Sequence, residues 1–110
     1  MTDLPVINPD CDAEKILDKI YDYIIDLRHY TESKRKKRVI NTIYRRFGKL
    51  YTAFVQANHD EHTKIAVSLR VFFREIQELF KIFGDEMEIF LIRKINNLGK
   101  SILKCLKNKL

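Results

Sequence analysis

Large apolar residues recur along this chain at helical intervals, in four blocks separated by short polar breaks. In the first block Ile16, Ile20, Ile24 and Leu27 follow one another at spacings of four, four and three, which is one face of a helix. Asp18, Asp22 and Asp26 line another face. Asn8-Pro9-Asp10 and Asp12 are turn and N-cap types, so the helix begins there and runs to about Tyr30. After Thr31-Glu32-Ser33 a second block runs from about Ser33 to Asn58, with a wide stripe of Ile40, Ile43, Tyr44, Phe47, Leu50, Tyr51 and Phe54. Gly48 interrupts that stripe and reads as a point of close helix approach. Asn58 suits a C-cap and Asp60 the next N-cap. The third block, about Glu61 to Phe83, turns Ile65, Leu69, Phe72, Ile76, Leu79 and Phe83 inward. Gly84 and Asp85 punctuate, and Met87, Leu91, Ile95, Leu98, Ile102 and Leu106 define the fourth.

Helices of this length joined by short connections are antiparallel neighbours. The pattern therefore predicts an all-α fold, an up-down-up-down four-helix bundle, with residues 1–110 as one domain and 1–11 as an extended N-terminal segment. Several large apolar residues fall away from the core stripes: Tyr21 and Ile25 on the first helix, and Ile89, Ile92 and Leu103 on the fourth. Such a surplus on terminal helices predicts a second buried surface, formed by self-association.

Composition narrows the class. The chain has 110 residues with only 3 Gly and 2 Pro, which disfavours turn-rich β architectures. No apolar run is long enough for a membrane span, and the first residues lack the basic and apolar regions of a secretory signal. A soluble, cytoplasmic protein without a membrane partner is expected.

Charge is distributed unevenly. Residues 1–32 carry 3 basic and 8 acidic groups, whereas residues 33–58 carry 8 basic and none acidic. A wholly cationic segment in a small domain points to a polyanionic partner. The alternative is internal pairing between the acidic first segment and the basic second. On helix two, Lys34, Arg38, Arg45 and Lys49 fall within roughly 60° of one another, opposite the apolar face. Arg35 and Arg46 add to that cationic helix. On helix three Arg70, Arg74 and Lys81 align with Gln77, and on helix four Arg93, Lys100, Lys104 and Lys107 align. The run from Lys34 to Arg38 sits at a helix N-terminus, where cations oppose the macrodipole, and a phosphate backbone would relieve that conflict. Because Tyr44, Phe47 and Tyr51 are expected to face the core, the stripe offers phosphate contacts without base stacking.

Catalytic signatures are missing: there is no Gly-rich phosphate loop, no G-x-S-x-G and no H-E-x-x-H. His59-Asp60-Glu61-His62 clusters metal-capable side chains but spans a turn, so no metal or other cofactor is expected. Cys11 and Cys105 read as reduced, with Cys105 a small buried apolar residue.

The order of these features resembles one family. KIYDYIIDL opens helix one, a basic entry leads helix two, and FVQAN (54–58) closes it. SLRVFFREI on helix three places an L-R-x-x-x-R pattern on Leu69, Arg70 and Arg74, and KINNLGKSILKCL places an I-G-R-like stretch on Leu98, Gly99 and Lys100. Over roughly residues 15–107 the chain resembles the accessory variability determinant proteins of diversity-generating retroelements. These belong with the four-helix-bundle proteins encoded in 23S rRNA intervening sequences. The resemblance implies a non-catalytic homopentameric ring with a basic surface. It further implies binding to RNA and/or DNA and to a reverse transcriptase, in support of error-prone cDNA synthesis. Arg70 and Arg74, one turn apart on the polar face of helix three within the resembling stretch, are expected to contact the polymerase or RNA. The alternative is a protein-interaction bundle of the intervening-sequence type with no reverse-transcriptase partner.

Overall fold

The computed structural model describes residues 12–58 and 61–108, without the side chains of residues 83, 107 and 108. Within them lie four helices: α1 (Ala13–Tyr30), α2 (Lys34–Gln56), α3 (His62–Phe83) and α4 (Glu86–Asn108). The extended segment 1–11 and the Asp60 cap expected from the sequence lie outside the described residues. Asp12 caps α1 by accepting a hydrogen bond from the Lys15 N–H, and Ser33 does the same for α2 through the Lys36 N–H. α2 stops at Gln56 with Ala57 as its C-cap, two residues before the expected end at Asn58.

α1 packs on α2 and α4, and α3 packs on the same two, so α1 faces α3 and α2 faces α4 across the diagonals. This is a square, up-down-up-down four-helix bundle. The connections 31–33 and 84–85 lie at one end, and the C-terminus of α2 and the start of α3 at the other. No helix among the described residues is long and apolar enough to cross a membrane.

The core is a column of Leu17, Ile20, Ile24 and Leu27 from α1, Ile40, Ile43 and Phe47 from α2, Leu69, Phe72 and Ile76 from α3, and Ile95 and Ile102 from α4. Phe47 stands at its centre, with Phe72 and Tyr21 rings each 5.6 Å from its own. The predicted stripes are present but wider than a single row. Phe73 and Phe80 are buried on α3, while Met87, expected inside, is exposed. Each helix in a square bundle faces two neighbours, so its buried wedge exceeds one line of residues.

Two glycines divide sharply. A Cβ on Gly48 would meet only the Tyr21 hydroxyl, at 3.4 Å, so packing does not demand glycine there, contrary to the expected close approach. Gly48→Ala should therefore stabilise the bundle by about 0.5–1 kcal/mol, the usual gain inside a helix, seen as a thermal midpoint a few degrees higher. A Cβ on Gly99 would lie 2.8–3.0 Å from the Phe73 ring. The close helix approach is thus between α3 and α4. Cys105, buried on α4, is disulfide-bonded, which corrects the expected reduced thiol; Cys11 lies outside the described residues. Compartment and chain separation, on which that expectation rested, do not fix distances in space.

Candidate nucleic-acid interface

The outer face of α2 carries Lys34, Arg38, Arg45 and Lys49, all exposed, with Arg35 exposed beside them. They cover 15 positions, about 22 Å at 1.5 Å per residue. Among the described residues none of these five forms an ion pair; the two ion pairs there are Lys36–Glu88 at 2.9 Å and Arg46–Glu75 at 2.8 Å. Among the described residues no carboxylate of neighbouring α1 forms an ion pair with the stripe. Asp18 accepts a hydrogen bond from the Tyr51 hydroxyl, which together with burial pushes the Tyr51 phenol up to about 12. Asp22 and Asp26 are exposed without an ion pair.

Arg46 is engaged with a neighbouring helix. Its guanidinium is bonded to Glu75 across the α2–α3 seam and lies 5.3 Å from the Phe72 ring centre, so it joins two helices and does not extend the free cationic stripe. Within the basic run, Lys36 is likewise turned to the protein. It meets the buried Glu88 carboxylate, which also accepts from the Thr31 hydroxyl at 2.8 Å and the Asp85 N–H at 2.9 Å. Burial pushes the Glu88 carboxyl up, but the Lys36, Asp85 and Thr31 hydrogen bonds outweigh it and hold the group below the ordinary glutamate value. An anion from α4 thus supplies part of what the cationic start of α2 lacks.

A second cationic surface lies at the α3–α4 groove, of about 440 Å³. Lys81 from α3 and Arg93 and Lys100 from α4 line it together with the amides of Gln77, Asn96 and Asn97. The stripes expected separately on helices three and four therefore meet. Arg70 and Arg74 are exposed on α3, outside the groove lining. Neither is in an ion pair, and in particular Arg74 does not pair with Glu78. Lys104 is exposed further along α4, and the side chain of Lys107 is outside those described. Because α2 and α4 occupy diagonal corners, the α2 stripe and this groove are separate surfaces.

The residues expected at a self-association surface are largely used within the monomer. Ile92 is buried at 4% exposure beneath the α3–α4 groove, which removes it from any such surface. Tyr21 is half-buried and stacks on Tyr44 with ring centres 5.0 Å apart; Ile25, Ile89 and Leu103 are also half-buried. The exposed large apolar residues are others, among them Val67 and Val71 on α3 and Met87 and Phe90 on α4.

Sequence reasoning passed over Asn96, Asn97 and Glu88. Adjacent asparagines inside a helix are unfavourable, and that local cost was the available signal for the first two. For Glu88 it was the spacing Asp85-x-x-Glu88, a capping box, on the same face as Leu91 and Ile95. No group of metal-capable side chains gathers among the described residues; His59 and Asp60 of the expected cluster lie outside them. No family model, curated protein or solved structure matches the chain.

Proposed function

We propose that this protein is a non-catalytic accessory subunit that binds RNA and/or DNA and a reverse transcriptase, in the manner of the accessory variability determinant proteins. It assembles as a homo-oligomer, a pentamer by that resemblance, and supports mutagenic cDNA synthesis. One observation carries the reading. Five exposed cations on α2 stand without an ion-pair partner beside a helix that has carboxylates to spare. Among the described residues no carboxylate of α1 forms an ion pair with them. Cations spaced over about 22 Å of helix suit successive phosphates of a backbone.

The test is the salt dependence of binding to unrelated single strands. Log K should fall with log salt at about −0.7 per phosphate neutralised, and Arg45→Glu with Lys49→Glu should flatten the slope by about 1.4 while lowering affinity for every sequence. Undiminished binding by the double variant would transfer the contact to Arg93, Lys100 and Lys104. The second reading, a protein-interaction bundle, draws on exposed Val67 and Val71, and it stands if the wild type binds no nucleic acid.

A further inference from the structure

We propose that the α3–α4 groove receives one unpaired base of a single strand and reads its edge with amide side chains; the inference rests on the nucleic-acid reading above. The groove differs in kind from the α2 stripe. On α2, Arg45 and Lys49 border a more open hollow of about 630 Å³ with Tyr21 and Tyr44, whereas the groove, about 440 Å³ and within the usual 300–1,000 Å³ of small-ligand sites, is lined by amides as well as cations. Its wall includes the half-buried Ile89, an apolar surface for the face of a planar ring. Its polar side chains are three amides, three cations and the carboxylate of Glu78. That composition suits a base with its phosphates, and a purely electrostatic site would not need the amides.

The amides are arranged for recognition. Asn96 donates one Nδ2 proton to the Ile92 carbonyl at 3.1 Å, which fixes its orientation and leaves its Oδ1 and second proton for a ligand. Gln77 and Asn97 form no side-chain hydrogen bond among the described residues, so both amides retain a donor and an acceptor. Complementary donor–acceptor pairs are how Asn and Gln read a base edge. Among the described residues Lys81, Arg93 and Lys100 form no ion pair, and they line the same groove, available to the flanking phosphates. The one carboxylate there, Glu78, can accept from an exocyclic amine but repels phosphate, which favours the base edge on its side. A duplex hides the Watson–Crick edge and is too wide for a recess between two packed helices. A single strand can turn one base in.

Binding of homopolymeric single strands and of a duplex of equal length, at one salt concentration, tests the proposal. The wild type should prefer single strands to duplex by about tenfold, and affinities should spread about fivefold or more among homopolymers. Gln77→Leu with Asn97→Leu, both at exposed positions, should reduce that spread to less than about twofold and leave the salt slope unchanged, since no phosphate contact is lost. Arg45→Glu with Lys49→Glu should do the reverse, lowering affinity for all strands and keeping the spread. Equal binding of all homopolymers by the wild type overturns the base site and leaves the α2 reading intact. A spread that survives the leucine variant overturns it too. Absence of binding to any strand overturns the parent reading, and this one with it.

Discussion

Gly99→Val should destabilise the bundle by about 3 kcal/mol and lower its thermal midpoint by about 12 °C. Three atoms of the Phe73 ring lie 2.8–3.0 Å from where the Cβ would stand, closer than carbon atoms approach without displacement. Phe73 cannot swing aside cheaply, because it is 5% exposed and set edge-on against Phe72 at 5.5 Å between ring centres. The two helices must separate or the ring must leave its rotamer, and either opens the α3–α4 seam. Gly48→Ala, a smaller addition at a roomy site, is the control that separates packing from helix propensity. If Gly99→Val matches wild type in a thermal melt, the close approach of α3 and α4 is not real.

Removing the Glu88 side chain should cost a similar amount, about 3 kcal/mol for Glu88→Ala, read as a lower urea midpoint. The carboxylate is 1% exposed and is shared by three donors on two other segments of the chain and on its own cap. Alanine leaves the buried Thr31 hydroxyl and the Asp85 N–H without their acceptor, and it removes half of a capping box. The pH dependence follows from the direction of the shift. With the folded group held below its ordinary value of 4.5, its contribution is present above that value and fades as pH falls through the lower folded one. Wild type and Glu88→Gln should therefore differ most near neutrality and converge in acid. Divergence on acidification would contradict the arrangement.

How much of this was legible beforehand depends on what each residue's fate requires one to know. The helices were readable because Ile20, Ile24 and Leu27, or Ile95 and Ile102, carry their periodicity locally, and Asp12 and Ser33 announce their helices by the next turn. The α2 stripe was readable for the same reason, since Lys34, Arg38, Arg45 and Lys49 are defined by one helix alone. Contacts between helices were not. Arg46 and Lys49 look alike in sequence, yet only Arg46 stands opposite Glu75, a fact of the α2–α3 pairing. Ile92 looked peripheral on a wheel drawn for one neighbour and is enclosed because α4 has two. Gly48 and Gly99 are equally plain glycines inside helices, and only the ring of Phe73 distinguishes them.

The helix starts are also unequally secured. At the end holding both short connections, Ser33 caps α2, Asp85 and Glu88 bond reciprocally, and Tyr30 reaches Asp85 at 3.3 Å. At the opposite end α3 begins on Glu61, which makes no side-chain cap bond, with no acid in its first turn to meet the helix dipole. Hydrogen exchange should therefore reach the first amides of α3 before those of α2 and α4.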